Sequence, residues 1–432
     1  MTKGLLGVAL LAGWLGVSAS AYAQGAPPGA TGPACPPVPG LDGPPAPDCG
    51  PPSSAESLPP NGFSNLHPES VAPSPHFYLG VDYLRWWVRK RQVPPLATLG
   101  ALQDAFPAAG GQPNTLPLLG PGSLDQSSES GVRVSAIWWC DQDHTFGIDA
   151  SAFWLPDITQ TRVVGGSGGA GTDLVIGRPF INVNSGLQDA DPIMVSGILA
   201  GGMRVDMPRQ FWGGDADLRC TQCVDIGPMN RVSFLVGARY LQLKEGIHIS
   251  EMVSELPDIT GAPGNVIFLQ DNFATSNRFY GGQIGLESET DVGQMVLTVT
   301  GKFAAGQNLE SVAVWGASRL LEPNGTQVFD ATRGFLVQPT NSVRVKRTHF
   351  AVAPSLAVNL AWVFNDHFRA SLGYDFVYWS HVARPGDQID RQVNVGAIGA
   401  ASQFGASPHP LMPFTTTGFW AQGISAGLQV SF

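Results

Sequence analysis

The last fourteen residues of the chain, Phe419-Trp-Ala-Gln-Gly-Ile-Ser-Ala-Gly-Leu-Gln-Val-Ser-Phe432, alternate between two kinds of side chain. From Ile424 onward the even positions are apolar and the odd positions are small or polar. A period of two predicts a β-strand with one apolar face and one polar face. Trp420 and Phe432 share a parity, and a tilted strand of that length places their rings roughly 30 Å apart along a membrane normal. The strand therefore fits a bilayer, with an aromatic residue at each edge.

The amino-terminal end predicts export. Lys3 precedes an apolar run over residues 4–17, and Ala21-Tyr22-Ala23 offers a cleavage site, so residues 1–23 are expected to be a signal peptide. No later stretch reaches the ~18 apolar residues that a membrane helix needs. Residues 24–76 are rich in proline and lack alternation, which predicts an extended, disordered periplasmic linker. Residues 77–432 remain for one barrel.

The composition also favours a membrane barrel. Charged residues make up 13% of the chain, about half of the ~25% that is usual in soluble domains. The net charge of −10 argues against nucleic acid as a partner. The scattered histidines show no metal-ligand or Ser/His/Asp spacing, so we expect neither a cofactor nor an enzymatic activity.

Alternating segments recur from residue 77 onward, and we count ten, with twelve as the alternative. The predicted strands are Phe77–Val88, Gly131–Trp139, Thr145–Leu155, Gln210–Arg219, Arg231–Leu243, Arg278–Glu289, Gln294–Ala305, His349–Phe364, His367–Tyr378 and Thr417–Phe432. Their long links are residues 89–130, 156–209, 244–277, 306–348 and 379–416. An even strand count with the long loops on one side is typical of bacterial barrels. The sequence thus predicts an all-β fold, a transmembrane antiparallel β-barrel with long outer loops.

Aromatic residues cluster at the predicted strand ends. The residues concerned are Trp86, Trp87, Trp154, Tyr378 and Trp379 at outer ends, and Trp138, Trp139, Trp362 and Phe432 at inner ends. Because such rings are apolar with a polar edge, they concentrate at membrane boundaries. We interpret the clusters as two girdles; the alternative is that tryptophan simply favours strands.

The face opposite the apolar one carries charge in several strands. Charged residues with this inward parity are Asp82, Arg133, Asp149, Arg239, Glu287, Lys302, Arg369 and Asp375. In lipid each would cost a few kcal/mol, so the parity predicts a charged lumen. We expect the three aspartates at similar depth near the outer mouth, facing the three arginines. The belt is either a selectivity ring or a set of structural salt bridges that fills a narrow barrel.

Several strings carry a family resemblance. They are Leu235-Val-Gly-Ala-Arg-Tyr-Leu241, Phe279-Tyr-Gly-Gly-Gln-Ile-Gly285, Gly373-Tyr-Asp-Phe-Val-Tyr-Trp-Ser380 and Val382-Ala-Arg-Pro-Gly-Asp-Gln-Ile-Asp390. Over residues 77–432 the chain resembles the seventh beta-barrel porin family, outer-membrane proteins best known from planctomycete bacteria. The resemblance implies a porin-like outer-membrane barrel with an undefined solute and with no catalytic residues.

The segment that follows Trp379 is predicted to form a loop at the outer mouth. Pro385-Gly386 is a turn pair, and Arg384, Asp387 and Asp390 surround it. Arg384 and Asp387 are expected either to pair with each other or to fold the loop back into the lumen. A loop constriction and a capped hairpin are both compatible with this pattern.

The five cysteines suggest disulfides in an oxidising compartment. Cys140 and the Cys220/Cys223 pair fall on successive periplasmic turns of the predicted topology. We expect Cys220 or Cys223 to bond with Cys140, or else the two to bond with each other. Cys35 and Cys49 are candidates for a separate loop.

The predicted function is that of a porin-like outer-membrane barrel, a narrow or plugged channel for unidentified small solutes. The alternative is a non-conducting structural barrel that interacts with other cell-envelope components through its outer loops, and a barrel enzyme comes third. The expected partners are outer-membrane lipid and the barrel-assembly machinery, which reads a terminal aromatic residue, here Phe432.

Overall fold

The computed structural model describes residues 75–124, 128–226, 229–257, 264–395 and 407–432. Within these residues ten long strands form the barrel, which confirms the predicted count. They are β1 Phe77–Val88, β2 Glu129–Trp139, β3 Phe146–Gly166, β4 Leu199–Ile226, β5 Met229–Glu255, β6 Val266–Val292, β7 Met295–Leu321, β8 Val343–Asn365, β9 Phe368–Ala383 and β10 Thr416–Ser431. The predicted signal peptide and all of the predicted linker except residues 75 and 76 lie outside the described residues.

Every barrel strand pairs in antiparallel fashion with the next strand in the chain. The last strand returns to the first, with Leu79 opposite Val430 and Trp87 opposite Gln422. The sheet is therefore closed and has no free edge, which is the condition for a sheet to cross a membrane. We call the end with the short turns the inner end and the end with the long links the outer end.

The outside of the barrel carries an apolar band between two rows of aromatic side chains. Near the inner end Trp138, Trp362 and Phe432 are half exposed or more. Towards the outer end Trp212 contacts Tyr240, and Tyr240 contacts Tyr280, each pair with ring centroids 4.9 Å apart. Leu218, Phe234, Ile284 and Leu372 are exposed between the two rows. This is the surface that lipid requires.

Three of the tryptophans predicted to lie in the girdles do not lie there. Trp86, Trp139 and Trp379 point into the barrel and are buried. Each of them is next in sequence to a second aromatic residue, and consecutive residues of a strand point to opposite faces of the sheet. The neighbouring ring faces out or lies half-buried, so these three rings face in. Strand-end position alone did not reveal which ring of each pair faces lipid.

Strands β4 to β7 are much longer than predicted. Each has 27 or 28 residues, so the links expected at 156–209, 244–277 and 306–348 are in large part strand. At about 3.3 Å per residue these strands reach well beyond a hydrocarbon layer of about 25 Å. A register shift between Arg209 and Phe211, opposite β3, marks a β-bulge beside Pro208.

Shorter elements cover the outer end. Ala97–Ala101, Leu116–Leu119, Leu174–Asn182 and Leu187–Val195 form a small sheet beside β4. The remaining elements are the paired strands Gln92–Val93 and Gly122–Ser123, the strands Gln327–Ala331 and Gln392–Val393, and a 3-10 helix at Pro385–Gln388. In the described part of the chain, no helix combines the length and the apolar character needed to cross a membrane.

The final residue lies at the seam where the barrel closes. Phe432 exchanges backbone hydrogen bonds with Phe77, and the two rings lie 6.3 Å apart. Deleting Phe432 is expected to block assembly, so that the protein accumulates unfolded and loses heat-modifiable gel migration. Phe364→Ala, a change to another exposed inner-end ring, is the control. Equal yields of folded barrel from both variants would contradict a signalling role for Phe432.

Candidate functional site

The inner half of the barrel encloses a polar cavity of about 490 Å³, which we call the vestibule. All eight predicted lumen charges line it: Asp82, Arg133, Asp149, Arg239, Glu287, Lys302, Arg369 and Asp375. The position near the outer mouth that was expected for Asp82, Asp149 and Asp375 is wrong. The strands continue far outward beyond these residues, so the charges lie in the inner half.

Arg133 lies between two of the predicted aspartates. Its Nε donates to Asp82 at 2.8 Å and its Nη1 donates to Asp375 at 2.7 Å. Asp82 is the register neighbour of Arg133 on β1, whereas Asp375 is on β9 and separated from it by 242 residues. One guanidinium thus joins strands on both sides of the barrel seam.

Arg219 holds a second pair of carboxylates and was not predicted. It donates to Asp149 at 2.8 Å and to Glu287, and its guanidinium lies 5.7 Å from the ring centre of Trp139. Its parity carried a signal, because Asp215, Asp217 and Arg219 occupy alternate positions of β4. The alternation of inward and outward residues is interrupted beside Pro208, and this interruption hid the inward position of Arg219.

The other two predicted arginines do not face the predicted aspartates. Arg239 donates to Asp215 at 3.1 Å, and Lys302 donates to Asp215 at 3.0 Å and to Asp217 at 2.8 Å. Arg369 lies over the ring of Tyr78, 5.6 Å from its centre. Inward parity was informative, but the partners across the lumen could not be read from it.

An aromatic layer closes the barrel above the vestibule. Its central contact joins Phe211 on β4 to Phe419 on β10, with ring centroids 5.1 Å apart. These strands are nearly opposite each other in a ten-stranded barrel, so the contact crosses the lumen. Phe153 extends the layer to Trp86 on one side, and Trp379 extends it from Phe419 on the other. Except for Phe153, which is half-buried, these side chains are buried.

A layer of buried ions follows above the aromatic layer. Arg384 donates from Nε and Nη2 to the two carboxylate oxygens of Glu245, at 2.8 Å each. The two residues are almost fully buried, and Glu245 lies on β5 whereas Arg384 directly follows β9, four strands away around the barrel. Arg209 and Glu129 form a second buried pair at this level. The bidentate geometry is the strongest form of such a contact.

The Pro385–Gln388 helix packs inside the outer opening. Gly386 and Gln388 are buried, and a Cβ atom on Gly386 would lie 1.8 Å from the carbonyl oxygen of Gln92. The expected Arg384–Asp387 pair is wrong, because Arg384 reaches Glu245 and Asp387 accepts from Thr417 at 3.2 Å. Asp390 accepts from the backbone of Leu411 at 2.7 Å. The loop therefore folds into the barrel, as one of the two alternatives expected.

The outermost part of the interior is filled with buried apolar side chains, among them Met203, Val205 and Phe335, which we call the apolar cap. It encloses a cluster of charged residues around Arg178. Arg178 donates to Asp271 at 2.6 Å and to Glu251 at 3.2 Å, and its guanidinium lies over Phe335. Burial raises the pKa of Glu251 to about 8; Arg178 lowers it and Asp191 raises it further. Glu251 lies eleven residues beyond Tyr240 along β5 and is thus outside the lipid-facing band.

Two of the cysteines predicted to form disulfides, Cys140 and Cys220, carry free thiols, so the bond expected between these two is absent. The side chain of Cys223 lies outside the described part of the chain, and the bonds expected to it stay predictions. Cys140 donates its N–H to Phe146, and Phe146 is the register partner of Cys220, so one strand separates the two cysteines. Two strand spacings amount to about 9–10 Å, more than the ~7 Å that a disulfide tolerates. Cys35 and Cys49 lie outside the described residues.

Comparison with known proteins assigns this architecture to a family. A family model described as "Putative beta barrel porin-7" matches residues 78–432. Among proteins with curated descriptions, none matches the sequence.

Several solved barrels are similar to the chain at low identity. The outer membrane protease OmpT from Escherichia coli is 10% identical over 84% of this chain and 99% of its own, with a TM-score of 0.37. A FadL homologue of Pseudomonas aeruginosa is 8% identical over 82% and 90%, with a TM-score of 0.22. The CymD monoaromatic hydrocarbon channel is 8% identical over 83% and 89%, with a TM-score of 0.17. None of these likenesses is close enough to say what this chain does.

Proposed function

The chain belongs to the beta barrel porin-7 family, and on that basis we propose that it is a plugged porin, an outer-membrane barrel whose lumen ends blindly. The vestibule opens towards the inner end and stops at the aromatic layer. The exposed apolar band supports outer-membrane lipid as the surrounding medium, and the exposed ring of Phe432 at the barrel seam supports the assembly machinery as a partner. The role of such a barrel is structural or receptive rather than conductive.

The contact between Phe211 and Phe419 carries the proposal. A conducting pore needs a continuous hydrated path, and an apolar constriction stops conduction by excluding water. Here rings from opposite walls touch, and both are fully buried. The Arg384–Glu245 pair and the apolar cap then close the same path twice more. Opening one of these layers leaves the others in place.

Planar bilayer recording tests the proposal. The purified full-length chain is expected to insert without any stepwise conductance, because three packed layers lie in series across the lumen. Insertion is checked separately by heat-modifiable gel migration and by flotation with lipid vesicles. Regular ohmic openings of the unmodified protein would overturn the proposal.

A gated channel is the second candidate, and the way in which the inserted loop is held favours it. The bidentate ion pair of Arg384 with Glu245 ties the loop to the far wall, together with the hydrogen bonds that Asn277 exchanges with Ala383. If the loop is a gate, Arg384→Ala should produce openings in the bilayer recording. If the barrel is plugged, the same variant should remain silent and unfold at a lower denaturant concentration. Arg204→Ala removes an arginine exposed on the outer surface of β4 and serves as the control.

A further inference from the structure

The floor of the vestibule holds two buried polar atoms that need partners. The indole Nε1 of Trp86 and the Oδ2 oxygen of Asp375 have no hydrogen-bond partner among the residues that the structure describes. Both side chains line the vestibule, and both are at least 96% buried. Buried polar atoms in folded proteins almost always have a hydrogen-bond partner, and a molecule bound in the vestibule would supply one to each.

The two residues flank the same position of β10. Gly423 on β10 is opposite Trp86 on one side and opposite Asp375 on the other. Gly423 has no side chain, and a Cβ atom there would lie 2.8 Å from the Trp86 ring. Trp86 on β1 and Asp375 on β9 are therefore two strand spacings apart, so their backbones are separated by about 10 Å. Both side chains point into the barrel from these positions.

The charges around the floor favour a cation. Arg133 is shared by Asp82 and Asp375, so this group of three carries one net negative charge. Arg219 is shared by Asp149 and Glu287 in the same way. Over the whole lining, seven carboxylates face six arginine and lysine side chains, because Arg231, Arg239, Lys302 and Arg369 also line the vestibule. The balance of one negative charge favours a cation over an anion.

We propose that the vestibule is a binding site for a small hydroxylated amine of the amino sugar class. The ammonium group donates to Oδ2 of Asp375, and a hydroxyl oxygen accepts from the indole N–H of Trp86. Phe153, which is half-buried against Trp86 with ring centroids 5.1 Å apart, offers an apolar surface to the carbon face of a sugar ring. A cavity of about 490 Å³ falls in the ordinary range for small-molecule sites.

Titration calorimetry of the full chain in detergent at pH 6 tests the proposal, with glucosamine as the probe and glucose as its uncharged counterpart. Glucosamine is expected to bind at least ten-fold more tightly than glucose. Asp375→Asn should remove that preference. Trp86→Phe, which keeps the ring and deletes the donor, should weaken both sugars by about ten-fold.

Asp206→Asn is the matched control, because Asp206 pairs with the exposed Arg204 away from the vestibule. It should bind like the unmodified chain. Heat-modifiable gel migration establishes that each variant is folded. Absence of saturable glucosamine binding, equal affinity for the two sugars, or unchanged binding by folded Trp86→Phe and Asp375→Asn would each overturn the proposal. Binding in detergent does not depend on whether the barrel conducts, so this result is independent of the bilayer recording.

Discussion

Replacing Arg219 by leucine is expected to lower the free energy of unfolding by about 3–5 kcal/mol. The guanidinium is buried and shared by Asp149 and Glu287, so its removal leaves two carboxylates facing each other in a confined space. Leucine fills part of the volume and supplies no charge. Urea unfolding in lipid vesicles, followed by tryptophan fluorescence, measures the loss.

Arg204→Leu is the internal control for this experiment. Arg204 lies on the same strand and also pairs with an aspartate, Asp206, but it is largely exposed. An exposed pair of this kind contributes little to stability, because water screens the attraction and the two side chains lose freedom when they pair. Equal losses from Arg204→Leu and Arg219→Leu would show that the lumen charges are well hydrated, and that water replaces the missing guanidinium.

The membrane-crossing part of the fold could be predicted because the lipid face is strictly apolar there. The bounds of β1 coincide with the prediction, since alternation, a preceding polar segment and a terminal Trp pair mark both ends. The closing strand Thr416–Ser431 differs from the prediction by one residue at each end. Lipid strongly disfavours charge on that face, where Arg85 near the outer end of β1 is an exception, and so the pattern is easily recognised.

The outer halves of β4 and β5 were missed because their polarity is inverted. In β4 the inward residues Met203, Val205 and Met207 are buried, while Arg204 on the opposite face is exposed to solvent. The alternation continues without interruption, but the apolar residues now face the inserted segments instead of lipid. A search for an apolar outer face cannot detect such a strand.

The interior partners could not be predicted for a related reason. Parity shows that Arg133 and Arg239 point inward, and both do. Which carboxylate each one reaches depends on the stagger between strands and on distances across the lumen, which alternation does not encode. Arg384 shows the limit best, since its partner Glu245 lies in a stretch that the sequence pattern assigned to a loop.

Between pH 4 and pH 8 the outer cap is expected to lose stability as the pH rises. Burial raises the pKa of Glu251 to about 8 in the folded chain, whereas an unfolded glutamate titrates near 4.3. The folded state thus holds this proton more tightly than the unfolded state does. Its stabilising contribution is complete below pH of about 4 and is lost progressively as the pH rises through 8.

Urea midpoints of the full chain in vesicles at pH 6 and pH 9 measure this effect, with Glu251→Gln as the informative variant. Glutamine resembles the protonated carboxyl and still accepts from Arg178. At pH 6 the variant should unfold near the midpoint of the unmodified chain, and at pH 9 it should be the more stable of the two. Glu255→Gln, at the exposed end of the same strand, is the control and should leave the pH profile unchanged.

The direction of the pH effect distinguishes two accounts of the cap. If Arg178 merely neutralises its neighbours, each carboxylate gains from ionisation, and stability should rise with pH. If one buried arginine is too little charge for Glu251 together with Asp271, one proton must remain in the cluster at neutral pH. Stability should then fall as that proton leaves, because a second carboxylate becomes charged beside the first in an apolar surrounding. A Glu251→Gln variant that is less stable than the unmodified chain at pH 9 would support the first account and reject the second.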